Sequence, residues 1–169
     1  MAKKHRPVAA DEIDLKILEM LQEDSKLGIQ TIAERIGKGI STVHARVKSL
    51  EDRGFIKKWC AILNPELLDR STLALIFVTI RYRVPGKDEI LSQKQFCEEI
   101  SKHPFVQEVF VLGGQYDVFL KVRTKDTAEM NRFITEFLRE LPAVDRTLTM
   151  FVMDSYLESL ALGHLSGTP

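Results

Sequence analysis

The sequence predicts an α+β protein in two parts, and three observations carry the prediction. Apolar residues recur at helical spacing in three stretches before residue 54, and β-branched and aromatic runs alternate with helical stripes after residue 71. The charge also changes sign along the chain. Residues 1–64 hold 12 Lys+Arg against 9 Asp+Glu, a net +3, and residues 65–169 hold 12 against 15, a net −3. The neutral total of the 169 residues therefore hides a basic front suited to a polyanion. A 44% hydrophobic content is enough for packed cores and argues against disorder.

Taken in order, residues 1–10 are polar, non-periodic and expected to be a loose arm. Asp11 is a candidate N-cap, with Glu12 and Asp14 in the first turn where the helix dipole favours acids. Ile13, Ile17, Leu18 and Leu21 then trace an amphipathic stripe that runs out near Glu23. A short second helix, Ile29 to Ile36, ends at Gly37-Lys38-Gly39. A third starts at Ile40 or Ser41, reaches Arg53 and stops at Gly54; its apolar face is Ile40, Val43, Val47 and Leu50. Two helices joined by a tight glycine turn make a helix-turn-helix, whose second helix fits a major groove. Phe55 to Leu63 reads as a short strand or hairpin, which makes the unit a winged one over residues 11–64.

The face of the third helix turned from the core carries Ser41, Thr42, His44, Ala45, Lys48 and Ser49, with Arg46 on its flank. Small polar groups can approach base edges, and basic ones can neutralise phosphates. Residues 35–58 hold seven basic and two acidic side chains. Lys38 in the turn and Lys57 and Lys58 on the wing complete the candidate DNA contacts. The competing reading is a solvated helix face; a single sign of charge on the second helix of a tight turn favours DNA. Trp59 has two readings, stacking on a base or packing at the domain junction.

Residues 65–71 form a polar linker. Beyond it come a β-prone run Thr72–Ile80 ended by Pro85-Gly86, a helical stripe from Asp88 to Lys102, and strands Val106–Leu112 and Asp117–Val122 around Gly113-Gly114-Gln115-Tyr116. A second helix, about Thr127 to Glu140, and a strand Arg146–Met153 follow, then a short helix or tail, with 161–169 as tail. This β-α-β-β-α-β order is the ferredoxin-like arrangement, an antiparallel sheet with both helices on one face, over residues 72–160. The strands are apolar on both faces, so two helices leave one side uncovered. A homodimer resolves this and suits two DNA half-sites.

The order and spacing of Asp14-Leu-Lys-Ile-Leu18, Arg46-Val-Lys-Ser-Leu-Glu-Asp-Arg-Gly-Phe-Ile56, Leu63-Asn-Pro65, Gly113-Gly-Gln-Tyr-Asp117 and Leu141-Pro-Ala-Val144 leading to Thr147-Leu-Thr149 resemble the leucine-responsive/asparagine-activator (Lrp/AsnC) regulators. The resemblance spans Asp11 to Leu160. It implies a sequence-specific transcriptional regulator whose second domain dimerises, assembles into octamers and senses an amino acid. It also implies that the effector lies between dimers near Gly113, Gly114, Gln115, Tyr116 and Asp117. Adjacent glycines offer backbone N–H groups to a carboxylate, Asp117 offers a partner to an ammonium group, and Thr147 and Thr149 are placed to complete the pocket. The other reading of the loop is a hairpin turn whose glycines serve backbone geometry alone. Two departures stand out: Gly39 where the family usually has Ser, and Gln115 where it often has an acid.

Other classes have less support. The four histidines show no metal-ligand spacing, and there is no nucleophile-base or phosphate-loop motif, so neither catalysis nor a metal or cofactor is expected. No apolar run reaches the roughly 18 to 20 residues of a membrane span, and the basic N-terminus lacks the apolar segment of a secretory signal. Cys60 and Cys97 read as free thiols and small apolar fillers in a cytoplasm. The alternative function is a winged-helix module for protein interaction or architecture, without effector response.

Overall fold

A computed structural model describes residues 9–83 and 90–165. The chain divides into two compact units: Met1–Ile62 together with Leu157–Pro169, and Leu63–Tyr156. The expected arm, apart from residues 9 and 10, lies outside the described residues, as do the Pro85-Gly86 break, the Asp88 helix start and the end of the tail.

The first unit holds α1 (Glu12–Glu23), α2 (Ile29–Ile36) and α3 (Ile40–Asp52). Asp11 caps α1, its carboxylate accepting the Asp14 N–H at 2.8 Å. The three apolar stripes meet in one core of Ile17, Leu21, Ile32, Ala33, Val43 and Leu50. Ile40, read as part of that face, is instead exposed, because as the first helical residue it precedes the first full turn.

The expected wing strand does not form within the chain. Phe55 and Ile56 donate their N–H groups back to Leu50 O at 2.9 and 3.3 Å, closing α3. Residues 57–63 then run on without strand pairing among the described residues. Strand structure needs a hydrogen-bonding neighbour, and none is offered here.

The second unit is a four-stranded antiparallel sheet in the order β2-β3-β1-β4, built from β1 (Thr72–Ile80), β2 (Val106–Val111), β3 (Val118–Thr124) and β4 (Val144–Phe151). A short 3₁₀ turn, Glu66–Leu68, stands before β1. Two helices, α4 (Gln93–Ile100) and α5 (Thr127–Arg132), complete the expected order. Helix α4 is much shorter than expected. Leu91 donates to Tyr82 O at 3.0 Å and Ile90 bridges Arg83, so this stretch is extended and the helix waits for Ser92, whose hydroxyl caps Gln95. Helix α5 continues as a π turn, Phe133–Phe137, and a 3₁₀ turn, Leu138–Glu140. The widened turn carries Phe133 and Phe137, whose rings both pack on His103, at 4.7 and 4.4 Å.

Ala74, Ile76, Val78, Val118, Leu120 and Val122 are buried with Phe96, Ile100, Met130, Phe133 and Leu138, so one sheet face is covered by the helices. The other face bears Leu75, Phe77, Phe110, Phe119, Leu148 and Met150, aligned by register (Phe77 opposite Phe119 and Leu148, Leu75 opposite Met150). Phe110, Leu148 and Met150 are exposed there. Beyond β4 the chain is irregular, the tail rather than the helix of the two expectations.

Candidate nucleic-acid interface and effector loop

The turn before α3 is set by its glycines. Gly37 ends α2 in the left-handed region at φ +65°, and Lys38 N–H reaches back to Ala33 O at 3.0 Å. Gly39 is the N-cap of α3 with extended backbone and no side-chain bond. From there Ser41, Thr42, His44, Ala45 and Lys48 are exposed, and 41, 45 and 48 repeat at helical spacing along one edge. Lys38, Lys57 and Lys58 are exposed too, and among the described residues none of these three nor Lys48 is ion-paired. Ser49 is half-buried, off that edge.

Arg46 is the main revision. Its Nη1 donates to Asp11 at 2.9 and 2.7 Å and to Asp14 Oδ1 at 2.7 Å, while Arg53 Nη1 donates to Asp14 Oδ2 at 3.1 Å. Asp14 is only 4% exposed. Both arginines thus tie α3 and its C-terminal end to the start of α1, while each stays partly open to water. The Asp14 N–H and the Arg46 guanidinium hold the Asp11 carboxyl below its usual range, and Asp11, then Asp14, raise Arg46 further. Arg53 also lies over the Phe55 ring at 4.7 Å, which fixes the chain leaving α3. Asp14 is placed by its position in the first turn of α1 to meet the helix dipole, but its pairing with residues 32 and 39 positions away has no local signal. Trp59 donates from Nε1 to Glu51 of α3 and does not stand free for a base.

In the second unit Gly113, Gly114 and Gln115 are exposed between β2 and β3. Neither glycine has positive φ, and a Cβ on either would meet nothing within 4 Å. Backbone geometry therefore does not require glycine at either position. Asp117 is already engaged: its carboxylate accepts Ile80 N–H at 2.7 Å and the Tyr82 hydroxyl at 3.1 Å. Partial desolvation, followed by the Asp117 bond, raises the Tyr82 phenol. Tyr82 is a residue that sequence reasoning missed; it is exposed and far from the loop in sequence.

Tyr116 packs on Phe77, 5.3 Å between centroids, on the open face. Thr147 and Thr149 pair with Val78 and Ile76 and so belong to the helix-covered face. The chain by itself does not gather the seven expected effector residues into one pocket among the described residues. An open groove of about 460 Å³ between α4 and β2, floored by Val109 and Val111 with Cys97 and Gln93 on its wall, includes none of them. Burial raises the Cys97 thiol, whereas Cys60 is exposed and is not the buried filler expected. Among the described residues no group of three His, Cys, Asp or Glu is placed to hold a metal, and no helix is long and apolar enough to cross a membrane.

Comparison with known proteins gives matches for both parts. A family model for the Lrp/AsnC ligand binding domain matches residues 76–162, and one for winged helix-turn-helix DNA-binding matches residues 11–57. The chain is 36% identical to the HTH-type transcriptional regulator FL11 of Pyrococcus horikoshii, over 92% of this chain and 97% of the relative. It is 35% identical to the leucine-responsive regulatory protein of Haemophilus influenzae, over 90% and 89%. A transcriptional regulator from Neisseria meningitidis, solved as a complex with L-Met, superposes with TM-score 0.82 at 30% identity, covering 93% of this chain and 99% of that one.

Proposed function

Since this chain belongs to the Lrp/AsnC family of transcriptional regulators, we propose that it lays the exposed edge of α3 in the major groove and adjusts that binding to an amino-acid effector. The observation that carries the DNA half is the division of labour among its cations. Arg46 and Arg53 hold α3, whereas among the described residues Lys38, Lys48, Lys57 and Lys58 have no ion pair and stand around small side chains at Ser41, Thr42 and Ala45. Lysines position a protein on phosphates and small polar residues meet base edges. Regulation of this kind, in the cytoplasm and without catalysis, is the reading we adopt.

The open sheet face supports a homodimer, which presents two α3 helices to half-sites one helical turn, about 34 Å, apart. Assembly of dimers into an octamer belongs to the same proposal. The neisserial relative was solved with L-Met; for this chain the room above Gly113 and Gly114 supports a small effector whose carboxylate takes their N–H groups. Asp117 keeps lone pairs beyond those that accept the Ile80 N–H and the Tyr82 hydroxyl, and these are open to an ammonium group. Thr147 and Thr149 are not part of this reading.

A mobility shift with the DNA upstream of its own gene, across a salt series, tests the first half. A specific complex should weaken with a log-log slope of roughly −0.9 per phosphate contact. Absence of any complex in low salt would sink it and favour a protein-interaction module. A thermal-shift screen over the amino acids tests the second half, and silence across all of them counts against the effector.

A further inference from the structure

The first compact unit is built from two separate pieces of chain, the helices α1 to α3 and a stretch from Leu157 onward. That stretch has neither helix nor strand as far as Leu165, yet its end is fastened to α1. Gln22 of α1 donates from Nε2 to Gly163 O at 2.8 Å and accepts the Leu162 N–H on Oε1 at 3.0 Å. Leu165 donates its N–H to Glu19 Oε1 at 2.6 Å. One amide side chain thus satisfies two backbone groups of the tail, as a neighbouring strand would. Between the two points of attachment Gly163 turns the chain through the left-handed region at φ +77°, where a side chain would be strained.

The attachment falls where α1 is weakest. Cations favour the C-terminal end of a helix, but α1 ends on Glu23, is followed by Asp24 and has no basic side chain in its last turn. Nor does it close on a left-handed residue, as α2 does at Gly37. The tail brings two N–H donors to that end. Its hold is polar and light. Leu157, Leu160 and Leu162 are exposed, and an open cleft of about 420 Å³, lined by Met20, Arg35, Ile36 and His164, remains beside the attachment. With so little apolar surface committed, the tail can come away without opening the core. We propose that residues 161–165 are a releasable strap that keeps the last turn of α1 formed and thereby strengthens DNA binding by α3. The start of α1 holds Arg46 and Arg53 of α3 and its end through Asp11 and Asp14, and Leu21 near the end of α1 shares a core with Val43 and Leu50. Fraying of the last turn draws Leu21 out of that core and loosens the seat of α3. The effect on binding rests on the reading of α3 as the DNA-contacting helix; the strap itself does not.

Two substitutions in the full chain release the strap from opposite sides. Q22A removes the amide from α1, and because alanine favours helix more than glutamine does, a looser α1 must come from the missing strap. G163V strains the tail's own turn and leaves α1 untouched. In the parent the Leu162 and Leu165 amides should exchange slowly. In both variants these amides, and those of Glu23 and Asp24 at the end of α1, should exchange about tenfold faster with circular dichroism nearly unchanged. A mobility shift on the DNA upstream of its own gene should show Kd raised about threefold or more, as the binding-competent fraction falls. The salt slope should not change, since no phosphate contact is lost. Tail amides that exchange freely in the parent, or an α1 end that stays protected once the tail is free, overturn the strap. So does a loss of affinity in Q22A that G163V, with its tail equally free, does not share. A freed tail with parental affinity overturns the link to DNA binding. A parent that binds no DNA overturns the reading of α3 instead, and amide exchange still decides the strap.

Discussion

The head and the sheet domain each carry a glycine turn and a hydrogen-bonded carboxylate, and the two sets do different work. In the head, Gly37 has a left-handed backbone that side chains strain to adopt, and Asp14 is buried under two arginines. In the sheet domain, Gly113 and Gly114 have ordinary backbone and empty space around them, and Asp117 is held by one backbone N–H and one exposed tyrosine. The fold itself demands the first pair. It does not demand the second.

The largest expected effect is on the head's carboxylate. Replacing Asp14 by Ala leaves Arg53 without the carboxylate it shares with Arg46, and breaking such a network costs about 2–4 kcal/mol, discounted from the fully buried case because both arginines keep some water. Chemical denaturation of D14A should show this loss, with DNA binding falling as the head loosens. K48A is the contrast: unchanged stability, weaker binding and a shallower salt slope by about 0.9. If D14A leaves stability intact while abolishing binding, Asp14 acts on DNA and not on α3.

The glycines come next. G37V places a β-branched residue at φ +65° and should cost about 1–3 kcal/mol. G113A and G114A should stay within about 0.5 kcal/mol of the parent while weakening any amino-acid response seen by thermal shift. Equal destabilisation at the two turns would erase the comparison.

A smaller effect separates the units by pH. Burial lowers the His103 pKa, and its Nδ1 accepts the Phe105 N–H at 3.2 Å within a ring of Phe105, Phe133 and Phe137. A folded pKa below the unfolded value near 6.5 means that the unfolded chain binds the proton first. The contribution is therefore complete above about pH 6.5 and is lost as pH falls below it, with a slope of at most about 1.36 kcal/mol per pH unit for one proton. Urea melts of the sheet domain between pH 7 and 5 should show the slope, and H103F should flatten it.

Which features were legible in the sequence follows from their range. The stripes of α1, α2 and α3 and the β-α-β-β-α-β order are periodicities of a few residues, so each could be read locally. Arg46 could not: its place on the helix said only that it lay at the flank, and its partners Asp11 and Asp14 are 35 and 32 residues away. The start of α4 was hidden for the same reason, since the pairing of Ile90 and Leu91 with Arg83 and Tyr82 overrides a helical stripe. The strand expected at Phe55 to Leu63 failed in the opposite sense. Phe55 to Leu63 has strand composition, but composition cannot supply the neighbouring strand that hydrogen bonding requires. At Thr147 and Thr149 the residue types suited a polar pocket, and only the register with Val78 and Ile76 put them on the covered face.

The smallest effect lies at Gly39, one of two N-caps in the head that carry no side-chain bond. Gly39 already has the extended backbone of an N-cap, φ −68° and ψ 146°, so a side chain there meets no strain, and a Cβ would sit 3.7 Å from Thr42 Oγ1, an ordinary contact. A serine at this position can accept the N–H of Thr42, the third residue of α3, which no side chain now satisfies. Because glycine is itself a tolerable cap, G39S should gain only a few tenths of a kcal/mol, visible as a small rise in the denaturation midpoint of the head. The same substitution sharpens the comparison with the other turn. Gly39 and Gly113 both have room and unstrained backbone, so both should accept a side chain without loss of stability. A hydroxyl at residue 39 should leave any amino-acid response unchanged, whereas one at residue 113 should weaken it. If G39S and G113S alter that response equally, the room above Gly113 is not what the effector uses.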